Sequence, residues 1–559
     1  MTSTTTLAPT ALRNVPDALL LDFGGVVFET EKVRDGRRLL AADLAQRLAR
    51  AGAGVDVDAL HRSLDAGLVA LKHWKHAQSR RLEPRELAPR EIVGDFLASD
   101  LPPSPRALLV AEASDVLLAV TTTLSRHRLR PGVRDLLDLA DAHGIPVGIV
   151  SNAHSGRSHR ALLARHGLEG RFAVQCYSDE VGIRKPHPGI VRLAAEALGT
   201  TPDRCWYVGD TQDRDVVAGR RAGVGAVLLT RSHHTDDPPF PVADRADATF
   251  ATPEGLVDAL AAALAHGTPP APAHRAPAAP APGAPGPARA ADAHPTGRPA
   301  LLLDHGGVVS DSRDDPDALR AFAVWLSGLL RGRGTHPDPD AVLVLLARAR
   351  SEHRDWKRAA AHRHAAGTGS LPEADPVVFW RDWFGAALDG RQRAVLTAEA
   401  HEVMSRYGRA KSRRTLRPGV RELLERCRAD GTPVVVVSNT VSGRAVRAEC
   451  AAHGIADLVG AFVCSDEIGV RKPDPAPVRE ALVIAGADPR ATWFVGDKPQ
   501  NDCVAARAAG VTHRVLVRGG STEDAVLDAA LRSGLATAVV TDPGDVVALM
   551  AASDAVPVP

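Results

Sequence analysis

Four polar blocks occur twice in this chain, in the same order, and any fold must accommodate both sets. LLLDFGGVV, with Asp22, returns as LLLDHGGVV, with Asp304, and VSNAHSGR, with Ser151, returns as VSNTVSGR, with Ser438. SDEVGIRKPHP, with Lys185, returns as SDEIGVRKPDP, with Lys472. VGDTQDRD, with Asp210 and Asp215, returns as VGDKPQND, with Asp497 and Asp502. The first pair lies 282 residues apart and the other three pairs 287. The spacing predicts two copies of one module, over 15–266 and 299–552, joined by a Pro/Ala-rich stretch at 267–298. That stretch has almost no large apolar side chain, so it reads as an extended, semi-stiff spacer. Some 30 residues at ~3.1 Å each would reach roughly 90 Å, which leaves the two modules tethered and free to pair with one another within the chain.

Each copy alternates short apolar runs with amphipathic stretches. Ala18–Asp22, Ile145–Val150 and Cys205–Val208 read as buried strands, as do Ala300–Asp304, Pro433–Val437 and Thr492–Val495. Val133–Ala142 and Val420–Ala429 follow Pro-Gly pairs and carry helical periodicity. Strands alternating with helices imply an α/β fold, a Rossmann-like parallel sheet in each module. All the repeated polar blocks fall at the carboxyl ends of the strands, where such sheets bind ligands. Between the first and second strands lie long helix-biased insertions, about 30–130 and about 312–414, each large enough to form a helical lobe.

Composition narrows the function. Of 559 residues, 45% are hydrophobic and 24% charged, and the formal net charge is +1. No basic excess marks a nucleic-acid or membrane-surface binder. Six Cys without a CxxC pair fit a reducing compartment, and MTSTTTLAPT has no apolar signal core. No stretch approaches the ~20 apolar residues of a membrane helix, so the expectation is a cytoplasmic protein.

At the strand ends, a carboxylate, a hydroxyl, a lysine and a Gly-Asp pair with a second Asp five residues on form one constellation. An Asp can be a nucleophile or metal ligand, and a hydroxyl can donate to a phosphoryl oxygen. A Lys can balance the charge of substrate and nucleophile, and paired Asp residues suit a hard cation with oxygen ligands. The set fits phosphoryl transfer to a carboxylate, with Mg²⁺ shielding two anions from each other. Only eight residues are Lys against 60 Arg, so each retained Lys suggests a need for a compact ammonium.

With these blocks the sequence resembles the haloacid dehalogenase-like hydrolase superfamily, twice over. The resemblance implies a Rossmann-like sheet with a helical cap inserted after the first strand of each module. It implies that Asp22 and Asp304 are nucleophiles forming an aspartyl-phosphate, and that Ser151 and Ser438 hold the transferring group. Lys185 and Lys472 would balance charge, and Asn152 and Asn439 would contact substrate. Mg²⁺ would be held by Asp22, Asp210 and the Gly24 carbonyl, with Asp215 in support. Asp304, Asp497, the Gly306 carbonyl and Asp502 would do the same in the second module. The implied activity is hydrolysis of small phosphorylated metabolites.

One departure matters. Most phosphatases of this family carry a second Asp two residues after the nucleophile, as the proton donor to the leaving group. Here Gly24 and Gly306 stand there. General acid–base help is typically worth ~10²–10⁴-fold, so slower turnover or a substitute group is expected. Two alternatives follow: one or both modules bind ligand without catalysis, or the chain cleaves carbon–halogen or carbon–phosphorus bonds. The retained metal loops and the Lys residues weigh against both. In the caps, Trp74-Lys75 and Trp356-Lys357 each place the Lys 53 residues after the nucleophile. They read either as a wall contacting an anionic substrate or as a Trp anchoring the cap beside a solvated Lys. Ser155 and Ser442 read as helix-start caps, Glu180 and Glu467 as residues ordering the Lys loop, and His305 as a structural neighbour of Asp304.

Overall fold

The computed structural model describes residues 10–266, 298–331, 336–365 and 371–554. Nearly all of the expected spacer lies outside the described residues. The first repeat contributes eight strands. They are β1 (Ala18–Leu21), β2 (Phe28–Lys32), β3 (Ser125–Leu129), β4 (Val147–Ser151), β5 (Val174–Tyr177), β6 (Cys205–Gly209), β7 (Ala226–Thr230) and β8 (Ala248–Phe250). The second contributes β9 (Leu301–Leu303), β10 (Ser310–Arg313), β11 (Arg413–Leu416), β12 (Val434–Ser438), β13 (Ala461–Cys464), β14 (Trp493–Gly496), β15 (His513–Val517) and β16 (Ala538–Val540).

Each repeat builds a parallel six-stranded sheet, in the orders β5-β4-β1-β6-β7-β8 and β13-β12-β9-β14-β15-β16. In the central strands every residue is buried, because helices cover both faces; this is why they read as unbroken apolar runs. Val133, Leu136, Leu137 and Ala140, spaced for one helix face, pack in one cluster with Leu19, Leu21 and Ile149. Val420, Leu423, Leu424 and Cys427 repeat the arrangement against Leu301, Leu303 and Val436. β1 lies between β4 and β6, pairing Leu20 with Gly148 on one side and with Tyr207 on the other. The chain changes direction across the sheet there, which opens a crevice beyond the strand ends.

The insertions are not wholly helical. Their stems are two-stranded antiparallel ribbons, β2 with β3 and β10 with β11. FETEK and SRHRL carry few apolar residues, so no periodicity announced the first ribbon. Beyond the stems the insertions are helices, including Gly36–Arg50, Val57–Ser79, Pro103–Ala111 and Ala113–Leu124 in the first repeat. Pro316–Leu330 and Pro339–Ala365 belong to the second.

The compact units do not follow the repeat. One contains 10–32, 74–86 and 125–266; the other contains 33–73, 87–124 and the described residues from 298 onward. Within the second unit, helix Pro103–Ala111 packs on helix Ala476–Ala485. Ser104 Oγ donates to the Ile484 carbonyl at 2.9 Å, Arg90 pairs with Glu480, and Arg447 pairs with Asp115 at 3.2 Å. Among the described residues no single helix is long and apolar enough to cross a membrane.

Candidate active site

The turn after Asp22 is built by glycine. After Asp22 the backbone at Gly25 is left-handed, φ +72°, and a Cβ there would fall 2.1 Å from Asp210 Oδ2. Gly307 repeats this with φ +86° and a Cβ 2.3 Å from Asp497 Oδ2. Only glycine lets the turn close over the second carboxylate. Arg130 and Arg417, just before the repeated Pro-Gly pairs, donate to the Gly25 and Gly307 carbonyls and pin the turns. RPGVR repeats at the common spacing, so these arginines were visible in the sequence but had no assigned role.

Around this turn the predicted residues converge. Lys185, buried, places Nζ 2.9 Å from Asp22 Oδ1, 2.7 Å from Asp215 Oδ1 and 3.0 Å from the Val150 carbonyl. Lys472 Nζ lies 2.8 Å from Asp304 Oδ1, 2.7 Å from Asp502 Oδ1 and 2.8 Å from the Val437 carbonyl. Three acceptors match the three ammonium protons. Burial opposes the charge on Lys185, but Asp215 and Asp22 outweigh it and its pKa is raised. Lys472 is raised in the same way by Asp304 and Asp502. Ser151 and Asn152 line the cavity of about 480 Å³ that holds Asp22, Lys185 and Asp210. Ser438 and Asn439 line the corresponding cavity around Asp304.

The asparagines do more than face the cavity. Asn152 accepts from the Lys185 amide at 2.7 Å and donates to the Lys185 carbonyl at 3.1 Å. Asn439 clamps Lys472 likewise, both bonds at 2.8 Å. Their amides fix the lysine, with one N–H of each left over on a residue that also lines the cavity.

Oxygen atoms of Asp22, Asp210 and Asp215 lie within 4.8 Å of one another, as do those of Asp304, Asp497 and Asp502. Burial, then Asp215 and Asp22, push the Asp210 carboxyl up to about 7. A cluster that resists losing its last proton is one that a divalent cation would neutralise, and its all-oxygen donors suit Mg²⁺. Asp215 is not open in the same way. One of its oxygens takes the Tyr207 hydroxyl and Lys185, and the other takes the Asp210 and Thr211 amides. This fits the supporting role expected for it.

The copies differ here. Burial raises the Asp215 carboxyl, but Lys185 and Arg214 overcome it and hold the group well below the usual range. At the equivalent of Arg214 the second repeat has Asn501, and at Tyr207 it has Phe494. Burial pushes Asp502 up to about 6 even against Lys472. Lys498 Nζ lies 2.8 Å from Asp497 Oδ1, and no equivalent charge exists at Thr211. Ser232 donates to Asp210 at 2.7 Å and Ser521 to Asp497 at 2.9 Å. These serines escaped the sequence reading because the segments around them do not repeat.

The cap residues divide. Lys75 lines the Asp22 cavity, touches His154, and is pushed down to about 7 by burial and then by Arg184. Lys357 instead lines an adjoining cavity. Neither Trp is among the cavity-lining residues. Trp74 lies under the Arg184 guanidinium at 5.4 Å, and Trp356 joins His353 and Trp383 in an aromatic cluster. These contacts are those of the packing role for both. Glu180 pairs with Arg160 at 2.7 Å and Glu467 with Arg447, so each ties down a neighbouring helix. Ser155 and Ser442 cap their helices as expected. His305 is buried beside Glu449, with burial pushing its pKa down to about 4, so it stays neutral.

A doubled parallel sheet with its Asp-Gly turn, clamped lysine and acidic cluster defines a class of hydrolase. The profile of the haloacid dehalogenase-like hydrolases matches residues 16–223 and 300–510, and the chain belongs to that family. A CBBY-like protein of Arabidopsis thaliana is 30% identical over 246 residues, 44% of this chain and 71% of the relative. A glyceraldehyde 3-phosphate phosphatase of Methanopyrus kandleri is 30% identical over 164 residues, 29% of this chain and 69% of the relative. A phosphoserine phosphatase of Thermus thermophilus is 34% identical over 113 residues, 20% of this chain; the match spans 45% of that relative.

Proposed function

We propose that both modules hydrolyse phosphate monoesters of small metabolites, each through an aspartyl-phosphate and with Mg²⁺. The observation that carries the reading is the lysine held between the nucleophile and the supporting Asp, present in both copies. The ammonium opposes the burial that raises the Asp22 carboxyl and faces the same space as an incoming phosphoryl group. An Asp22 oxygen attacks phosphorus, the ester P–O bond breaks, and the leaving alkoxide takes a proton. Water then cleaves the acyl phosphate, restoring the carboxylate and releasing inorganic phosphate. Asp22, Asp210 and the Gly24 carbonyl would hold Mg²⁺, supported by Asp215, and Asp304, Asp497, Gly306 and Asp502 would do so in the second module. The cation supplies positive charge against the anionic substrate. Ser151 and Ser438 would donate to the phosphoryl oxygens.

The test is hydrolysis of phenyl phosphate, with and without Mg²⁺, by the wild type, Asp22→Asn, Asp304→Asn and the double variant. Partial loss in each single variant and at least ~10³-fold loss in the double is expected, the scale at which removing a nucleophile acts. A double variant that keeps its activity would overturn the aspartyl-phosphate. A wild type inert on phenyl phosphate and on phosphorylated metabolites would favour the ligand-binding alternative.

A further inference from the structure

The second module has a cavity lined by two more cations than the equivalent positions of the first carry. A space of about 320 Å³ adjoins the Asp304 cavity and shares Lys411, Asn439, Thr440 and Arg471 with it. Arg350, Arg354 and Lys357, from helix Pro339–Ala365, line its far side. Five cationic side chains therefore face a cavity whose one acidic lining residue is Glu373. Glu373 is already engaged, by the Ser465 hydroxyl at 2.7 Å and the Ala374 amide at 3.0 Å, and lies 3.9 Å from Arg471.

The duplication supplies a comparison inside the same chain. By the repeat spacings, Arg350 corresponds to Leu68 and Lys411 to Leu124. Arg471 corresponds to Arg184, which Glu86 neutralises at 3.0 Å. The second copy thus holds two cations where the first has leucine, and its arginine is less closely paired. Burial, then Arg414, Lys357 and Arg350, push Lys411 down to about 8. Concentrating like charges beside a cavity is unfavourable unless an anion sits among them.

We propose that this cavity is a subsite for a second phosphate, so that the second module acts on small bisphosphorylated molecules. One phosphate would sit on Asp304 while the other is held by Arg350, Lys357, Lys411 and Arg471. This deepens the phosphatase reading and rests on it. The shared wall gives one ligand access to both spaces, and the arginine forks suit a phosphate dianion.

The experiment uses the full chain carrying Asp22→Asn, so that turnover reports the second module. Short alkanediol bisphosphates of graded length are compared with the matching alkyl monophosphates. The ratio of their kcat/KM values should be about tenfold or more at the best length, the scale of a few charge-assisted hydrogen bonds. Replacing Arg350 and Lys411 by leucine, as in the first module, should bring that ratio toward one, chiefly through KM. Arg350→Leu alone, on an exposed helix position, is the variant least able to disturb folding and should lower the ratio part of the way. A ratio near one in the parent, or one that the leucines leave unchanged, overturns the subsite while turnover itself keeps the phosphatase reading. Calorimetric binding to the chain with both Asp22→Asn and Asp304→Asn separates the two claims. A bisphosphate preference in binding that the leucines remove, without turnover by the parent, upholds the subsite and overturns the phosphatase reading.

Discussion

At the residue scale, the informative position is the glycine two residues beyond Asp22 and Asp304. A Cβ placed on Gly24 meets nothing within 4 Å, whereas at Gly306 the Arg414 guanidinium lies 3.5 Å away. A side chain therefore has room at both positions, in open space in the first module and beside the Arg414 guanidinium in the second. Gly24→Asp should raise turnover of alkyl phosphates by ~10–10³-fold and change aryl phosphates less, because a phenol leaves without a proton. Steady-state kinetics in an Asp304→Asn background checks this; equal effects on both substrates would show that the new carboxylate acts otherwise. Asp22, Ser151 and Asp210 were legible because each ends or follows a buried apolar strand, and Lys185 because its block recurs around Lys472. The roles of Asn152 and of the Trp-Lys pairs were not. A repeat preserves positioning, packing and substrate-contacting residues alike, and only the contacts themselves tell them apart.

At the element scale, the central strands and the helices after the Pro-Gly pairs follow the sequence closely, since burial on both sheet faces leaves unbroken apolar runs. The ribbons at the cap stems escaped because they are polar and short. The junction between helices Pro103–Ala111 and Ala113–Leu124 carries a testable charge. Glu112, half-buried there, is pushed up to about 7 by burial, with Asp115 adding to the rise and Arg447 opposing it. A carboxyl whose folded pKa lies above its unfolded value favours folding below the unfolded value, near 4.5, and loses that benefit as pH rises through about 7. Glu112→Gln should therefore stabilise the chain at pH 8 by about 1 kcal/mol, or roughly 2–4 °C in Tm, discounted for partial solvent access. The gain should shrink as pH is lowered toward about 4.5; thermal melts across that range decide it.

At the scale of the whole molecule, sequence repeat and packing unit part company. Helix Pro103–Ala111 buries Pro105, Leu108 and Leu109, and its packing partner Ala476–Ala485 belongs to the second repeat. A chain ending at residue 266 keeps one complete set of site residues yet leaves that helix without its partner. Exposing such a face costs ~25 cal/mol per Å² and invites association. The fragment should melt well below the full chain or run as an oligomer in size-exclusion chromatography; a monomer melting with the full chain would refute this. The same arrangement sets a timetable for synthesis. The first repeat's cap helices leave the ribosome some 360 residues before Ala476–Ala485 does, so at ~5–20 residues per second they wait roughly 20–70 s for their partner. Throughout that interval the nascent chain presents an apolar helix face that it cannot yet cover, and slower translation of the second half lengthens the exposure.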